Sequence, residues 1–287
     1  MSIGDFHMHS TYSDGRLTPA ELVDRAASRG VRVMALSDHD TLAGLPEARA
    51  AAARHPGFLL VPAVEISCDL PGTELHMLGL FVDGANARLA SELDSFRQGR
   101  QQRGADMVAA LEAAGVPISW ERVLELAGEA AVGRPHLALA LMERGHVASV
   151  NEAFDRFLAR GMPAYVERDT IGPADAITMI RDAGGLPVFA HPSFTKEYED
   201  VAAMLASNGL FGMEVYYKAY EPPLVESLRG LAERLGLFAL GGSDYHSLGN
   251  PDEREPGDIP LPDSVVQAFL EAARAAGCAV PEPTAAA

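Results

Sequence analysis

The sequence predicts a seven-stranded α/β barrel with a helical insertion after the fourth strand. Three observations lead there. Short apolar runs of strand length alternate with helical segments, the pattern of a parallel sheet covered on both faces. Six of the nine histidines stand at or beside predicted strand ends, where such folds place functional side chains. Between Asp83 and Gly185 no comparable apolar run occurs, and that stretch is too long for one crossover helix.

The first strand is expected over residues 3–9, within Asp5-Phe6-His7-Met8-His9-Ser10-Thr11-Tyr12-Ser13-Asp14-Gly15. A period of two puts His7 and His9 on one face, where two imidazoles can converge on a cation, and Phe6 and Met8 on the other. Thr18-Pro19-Ala20-Glu21 reads as a capping box with proline at the first helical position, and Gly30 stops that helix. Residues 31–37 form a nearly continuous apolar run ending in Asp38-His39-Asp40, the pattern of a strand buried on both faces. A short helix over 46–55 leads to a third strand over 58–66, with Glu65 near its end, and a fourth strand over 74–82 carries His76. The insertion is placed at 101–165, which leaves 1–100 and 166–287 as the barrel domain. A returning helix over 173–183 is stopped by Gly184-Gly185. Strands over 186–190, 211–216 and 237–242 follow, the first leading into His191-Pro192 and the last into Ser243-Asp244-Tyr245-His246. Helices over 224–235 and 264–276 complete the barrel, and Pro281-Glu282-Pro283 with its alanine tail reads as disordered.

At 48% hydrophobic and 22% charged, the 287-residue chain has an ordinary globular composition. No basic segment followed by an apolar run opens it, so neither a signal peptide nor a membrane anchor is expected and the protein reads as cytoplasmic. Cys68 and Cys278 are the only cysteines, too few for a disulfide framework or a thiolate cluster. Any metal must be held by nitrogen and oxygen. The formal charge of -17 argues against a broad basic surface for long nucleic acid. A small anionic substrate drawn by cations in a pocket remains compatible with it.

Metal-ligand chemistry concentrates in His7, His9, Asp14, His39, Glu65, His76, His191, Asp244 and His246. A single strand-end histidine is ordinarily a hydrogen-bonded core or surface residue, but so many donors gathered at strand ends point to a metal site. The pattern HxHSxxSDG at residues 7–15, SDHD at 37–40, Glu65, the His76-bearing strand, AHP at 190–192 and GSDYH at 242–246 together resemble the polymerase-and-histidinol-phosphatase (PHP) family over nearly the whole chain. The resemblance implies a distorted seven-stranded (β/α) barrel, up to three divalent metal ions and phosphoester hydrolysis. It also implies a sharing of ligands: His7, His9, Glu65 and Asp244 on one ion, Glu65, His76 and His191 on a second, Asp14, His39 and His246 on a third. Within that set Glu65, His191 and Asp244 are the expected catalytic residues. Imidazole and carboxylate donors suit manganese, zinc or iron(II), and manganese is the expectation. Three divalent ions outweigh three carboxylates in charge, which favours phosphate. In the implied mechanism, water activated by the cations attacks phosphorus in line. Asp5, Asp38, Asp40 and Glu214 are candidates to orient ligand histidines from behind, or else surface and helix-capping carboxylates.

Gly133-Arg134-Pro135-His136 precedes an apolar helical run. A helix start with free N–H groups and an arginine makes an anion site, although read alone it is an ordinary helix start. Its place in an insertion after the fourth strand resembles the PHP branch of nucleotide phosphatases and small-RNA exonucleases, in which the insertion covers the metal cluster and its Arg and His bind substrate phosphate. Arg134 and His136 are assigned to substrate on that basis. Lys218 is a further substrate candidate, with an exposed lysine as the plainer reading. Tyr12, Tyr216, Tyr217 and Tyr245 are candidates to stack on a base or packing residues, and His55 and His146 are helix-end residues without assigned chemistry. The first functional reading is removal of the 3'-phosphate from a nucleoside 3',5'-bisphosphate, such as adenosine 3',5'-bisphosphate to AMP. The second is a 5'-to-3' exonuclease on short 5'-phosphorylated RNA or DNA. Further alternatives are a histidinol-phosphate phosphatase, a non-catalytic metal-binding module and a barrel amidohydrolase.

Overall fold

The computed structural model describes residues 1–70, 73–128, 132–167, 171–218, 220–249 and 253–285. The chain forms two compact units, Met1–Ser91 with Thr170–Ala287, and Glu92–Asp169.

In the first unit seven strands neighbour one another in chain order: β1 (Gly4–Asp5), β2 (Val33–Leu36), β3 (Leu59–Leu70), β4 (Thr73–Leu80), β5 (Leu186–Phe189), β6 (Gly212–Tyr217) and β7 (Phe238–Gly242). The far edge comes back to the chain start, since Phe6 N donates to Gly241 O at 3.3 Å, Asp244 N to His7 O at 2.8 Å and His9 N to Tyr245 O at 3.0 Å. The result is a nearly closed barrel of the expected class. The opening strand is shorter than its apolar pattern predicts: pairing covers Gly4–Asp5, and beyond it Met8 makes an isolated bridge to Tyr245.

The expectation of a wholly parallel sheet is corrected at β4, which runs antiparallel to both β3 and β5. β3 ends at Leu70 and β4 begins at Thr73, a link that suits a hairpin and is far too short for the crossover a parallel pair requires. The same hairpin explains why β3 outruns its predicted end, because Ile66–Leu70 are paired along their length with β4, from Ile66 opposite Met77 to Leu70 opposite Thr73. The reversal places the N-terminal part of β4, with His76, at the rim where the parallel strands have their C-terminal ends.

Period-two alternation divides the buried residues. Val33, Ala35, Leu59, Val61 and Ala63 belong to one core with Leu78, Val188 and Leu240, and this core also takes Val266, Phe269 and Ala273 from α10 (Asp263–Ala275). Met34, Leu36 and Leu60 belong to a second core with Leu22 and Ala26 of α1 (Pro19–Ser28) and Ala48 and Ala51 of α2 (Leu45–Ala52). The capping box at Thr18 is present in both directions, Glu21 N to Thr18 Oγ1 and Thr18 N to Glu21 Oε2. Helices α7 (Pro173–Asp182), α8 (Tyr198–Ser207) and α9 (Pro222–Leu235) also belong to this unit. The expected disorder of the C-terminal tail is corrected as far as Thr284, whose backbone accepts from Gly57 N at 2.8 Å and donates to Phe58 O at 3.0 Å. Ala286 and Ala287 lie outside the described residues.

The second unit is helical. It contains the greater part of α3 (Ala87–Ala113), then α4 (Trp120–Ala127), α5 (Arg134–Glu143) and α6 (Val150–Ala153), which continues into a π turn over Phe154–Leu158. Leu111, Val123, Leu137, Leu141, Phe157 and Leu158 share its core. Among the described residues no helix is long and apolar enough to cross a membrane.

Candidate metal centre

Glu65 is the hub of the site. Backbone bonds from Asp40 N to Glu65 O (3.0 Å) and from Glu65 N to Asp38 O (3.2 Å) fix β3 against the segment leaving β2, and the Glu65 carboxylate, 1% exposed, enters a ring of five imidazoles. Its Oε2 lies 3.1 Å from His7 Nε2, 3.1 Å from His9 Nε2 and 3.2 Å from His39 Nδ1. Its Oε1 lies 2.8 Å from His76 Nδ1 and 3.1 Å from His191 Nε2. Asp244 Oδ1 approaches His7 Nε2 at 3.4 Å and His9 Nε2 at 3.2 Å, and Asp14 approaches His246 Nε2 at 3.2 Å and His39 Nε2 at 3.7 Å. All nine donors expected from the sequence are therefore brought together.

Eight of them fall into three groups able to hold an ion: His7, His9, Glu65 and Asp244; His9, Asp14, His39 and His246; and His39, Glu65 and His76. Compared with the sharing implied by resemblance, His9 and His39 each stand in two groups, and His191 joins through Glu65 Oε1. The donor set fits divalent cations. His7 Nε2, His9 Nε2, His39 Nδ1, Asp14 Oδ1 and Glu65 Oε2 are buried atoms without an aligned hydrogen-bond partner. Each such orphan costs roughly 1–3 kcal/mol, and lone pairs converging from nitrogen and oxygen are what a borderline-hard cation satisfies.

Behind the donors stands a layer of hydrogen bonds that fixes the rings. His7 Nδ1 donates to the Glu214 carboxylate at 3.1 and 3.2 Å, and Glu214 Oε2 accepts from His191 N at 2.7 Å. His9 Nδ1 donates to Ser13 Oγ at 3.3 Å, which donates to Asp38 Oδ1 at 2.7 Å; Asp38 also accepts from Ser10 N and Ser10 Oγ, both at 2.7 Å. His246 Nδ1 donates to Asp244 O at 2.9 Å. With Nδ1 committed, the Nε2 lone pairs of these three rings face the centre. Asp5 accepts from Ser243 N and Gly257 N, both at 2.9 Å, and Asp40 from Ser67 N at 3.3 Å. The alternative of surface carboxylates is excluded by burial for all four of Asp5, Asp38, Asp40 and Glu214. Ser13→Ala removes the link from His9 to Asp38 and is expected to weaken metal binding about tenfold, read by competitive metal titration; unchanged affinity would mean that packing alone orients His9.

Backbone geometry contributes as well. Asp40, His191, Lys218 and Asp244, each just past a strand end, have positive φ, at a cost of roughly 1–2 kcal/mol apiece for non-glycine residues. Gly242 has no room for a side chain, because a Cβ there would fall on His7 Cβ and the His7 backbone nitrogen. That close approach is why the strand leading to Asp244 ends in glycine.

Two functional residues escape sequence reasoning in the roles they take here. Tyr217 Oη donates to Asp244 Oδ2 at 2.6 Å, and Lys218 Nζ lies 2.7 Å from the same oxygen, so Lys218 is an ion-paired residue at the cluster and not an exposed lysine. Tyr217 and Tyr245 are only 2% and 6% exposed, which removes both as surfaces for a base. Tyr216 packs against the barrel core. Ser10 and Ser13 were visible in the opening motif but carried no pattern of their own. In the second unit, the Arg134 guanidinium lies 5.5 Å from the centre of the Phe154 ring, and buried His136 accepts at Nδ1 from Gly133 N at 3.0 Å, capping its own helix. His55 pairs with Asp24 at 2.6 Å, and His146 donates to Pro117 O at 3.1 Å.

The electrostatics follow from burial of opposite charges together. Burial alone would lower His9, but the Asp244 and Glu65 carboxylates close to its Nε2 push it up to about 10. His7 is raised well above its ordinary value, since Glu65, Glu214 and Asp244 outweigh its burial. Burial would raise Glu65, Asp14 and Asp244, yet the surrounding histidines hold all three well below the usual carboxylate range, with Lys218 adding to the effect on Asp244. His39, for which burial prevails, falls to about 3.

With this geometry the known proteins can be compared. A PHP domain model matches residues 5–110. The chain is 36% identical over 250 residues to a 3',5'-nucleoside bisphosphate phosphatase of Chromobacterium violaceum, covering 85% of this chain and 87% of the relative. It is 38% identical over 249 residues to the 5'-3' exoribonuclease Rnm of Salmonella typhimurium, covering 85% of each. Among solved structures, an amidohydrolase from Chromobacterium violaceum with bound sulfate and no metal superposes with a TM-score of 0.87 at 33% identity, over 98% of both chains.

Proposed function

The chain belongs to the PHP family, and from that premise we propose that this metal-dependent phosphoesterase removes the 3'-phosphate from nucleoside 3',5'-bisphosphates. The observation that carries the reading is the three donor groups linked through His9, His39 and Glu65, at a site whose relatives include a bisphosphate phosphatase. The nine residues His7, His9, Asp14, His39, Glu65, His76, His191, Asp244 and His246 would hold up to three ions. Manganese is favoured, with zinc and iron as alternatives for the same nitrogen and oxygen donors. Bound there, divalent cations supply Lewis-acid neutralisation of phosphoryl oxygens and lower the pKa of water.

The chain's own residues do the remainder. Glu214 keeps the proton on His7 Nδ1, and Ser13 with Asp38 keeps the proton on His9 Nδ1, so neither Nε2 drifts from the centre. Tyr217 and Lys218 hold Asp244 by its outer oxygen while its inner oxygen faces His7 and His9. In the second unit, α5 begins with Arg134 and Pro135 after an extended Gly133, an arrangement of N–H groups and a guanidinium that suits a phosphate. Arg134 and His136 are proposed to hold the substrate's 5'-phosphate. Two cysteines and no disulfide accord with a cytoplasmic setting, which is part of the same reading.

The second reading, 5'-to-3' exonuclease action on short 5'-phosphorylated RNA, is favoured by the likeness to an exoribonuclease. One experiment separates the two: phosphate release and product identification with adenosine 3',5'-bisphosphate beside a short 5'-phosphorylated RNA. Faster formation of AMP and phosphate from the bisphosphate is expected; faster stepwise release of 5'-mononucleotides from RNA would make the exonuclease the correct reading. Arg134→Ala is expected to raise KM about tenfold or more for either substrate with metal content unchanged, and lost metal or unaltered kinetics would remove it from the phosphate site.

A further inference from the structure

Among the described residues only two large apolar side chains are exposed, Met1 at the chain start and Phe194 at 69%. A solitary exposed apolar residue is ordinary protein surface. Phe194 differs by its position, because it ends the short turn Pro192–Phe194 directly after His191, and its ring lies 5.5 Å from the His191 ring. The turn is fixed. Phe194 N donates to His191 O at 3.1 Å, Thr195 N to Pro192 O at 2.9 Å, and Ser193 Oγ bonds Tyr220 Oη at 2.7 Å. Tyr217, whose hydroxyl holds Asp244, meets the Phe194 ring edge-on at 5.9 Å. Phe194 is thus a flat, uncharged ring braced on the donor His191 and on Tyr217, which holds the donor Asp244, and open to water over most of its surface.

Such a ring has nothing to offer a phosphate. What it offers is a π-face, and a planar heteroaromatic base gains stacking energy there whatever its hydrogen-bonding edge. Tyr217 and Tyr245 are buried and Tyr216 packs against the barrel core, whereas Phe194 presents most of its ring to water beside His191. We propose that Phe194 is the platform on which the substrate's nucleobase stacks, so that the enzyme favours nucleotides over sugar phosphates without a base. The proposal rests on the nucleotide phosphatase reading and adds the element that recognises the base.

The test is equilibrium binding of AMP and of ribose 5-phosphate, by calorimetry, to manganese-loaded wild type, Phe194→Ala and Phe194→Trp, with turnover of adenosine 3',5'-bisphosphate followed in parallel. Stacking on one aromatic ring is worth about tenfold or more in affinity. The expected result is that loss for AMP in the alanine variant, none for ribose 5-phosphate, and wild-type or tighter AMP binding in the tryptophan variant. No AMP binding by wild type, equal AMP affinity in wild type and the alanine variant, or equal losses for both ligands would overturn the proposal. Phe194-dependent AMP binding without phosphatase turnover would overturn the phosphatase reading and uphold the platform, whereas full turnover with Phe194-independent AMP binding would do the reverse.

Discussion

Glu65→Gln is expected to lower kcat/KM for the bisphosphate by about three orders of magnitude or more, a loss of about 4 kcal/mol of transition-state stabilisation, together with most of the bound metal. The size follows from position. One carboxylate lies within 3.2 Å of nitrogens from His7, His9, His39, His76 and His191, and it belongs to two of the three donor groups. Glutamine keeps the shape but removes the negative charge and turns an N–H₂ toward imidazole nitrogens, so one substitution damages both groups at once. Elemental analysis of the purified variant, with circular dichroism to confirm the fold, checks it. A variant with a full complement of metal and near-normal turnover would remove Glu65 from the centre of the mechanism.

The second large effect is protonic. In the metal-free protein at neutral pH, His9 at about 10 and His7, well above its ordinary value, carry protons, whereas a ligand imidazole needs its lone pair. Metal uptake is therefore expected to expel protons, and affinity to rise with pH by about tenfold per unit for each proton displaced. His39, pushed down to about 3, is already neutral and adds none. Titrations in buffers of different ionisation enthalpy count the protons; zero release at pH 7 would refute the charged metal-free cluster. Stability must follow the same linkage. Because the folded-state value of His9 lies above its ordinary 6.5, its contribution is fully present below pH 6.5 and lost as pH rises through about 10. The depressed carboxylates Glu65, Asp14 and Asp244 act in the opposite sense, contributing above the usual carboxylate range and losing that contribution as pH falls through their lowered values. Melting of the metal-free protein is expected to decline from pH 6.5 toward 10, with a flatter profile once metal replaces the protons.

Much of this site is legible in the sequence because its donors follow strands. Apolar runs mark β2, β3, β5, β6 and β7, and Glu65 in β3 together with the donors just past β2, β5 and β7 lies at one rim by the geometry of the barrel. The less legible parts come from residues far apart in the chain. Glu214 looks like any strand carboxylate until His7, on the opposite side of the sequence, is found 3.1 Å away. Tyr217 has the composition of a packing residue and becomes a hydrogen-bond donor to Asp244 only when β6 and β7 pair. Phe194 has no motif, and its exposure beside His191 is a property of the folded turn.

Local chemistry along the chain suffices for the kind of centre this is: nitrogen and oxygen donors, no thiolate cluster, and a capping box, glycine stops and apolar runs that set a barrel around them. Folding alone settles how the donors are shared and held. The short link between β3 and β4 reverses one strand and carries His76 to Glu65, and the joining of β7 to the segment after β1 brings Asp244 against His7 and His9. The physical reason is range. Propensity, capping and periodicity act over a few neighbours, whereas burying several imidazoles among three carboxylates is favourable only when every partner arrives together.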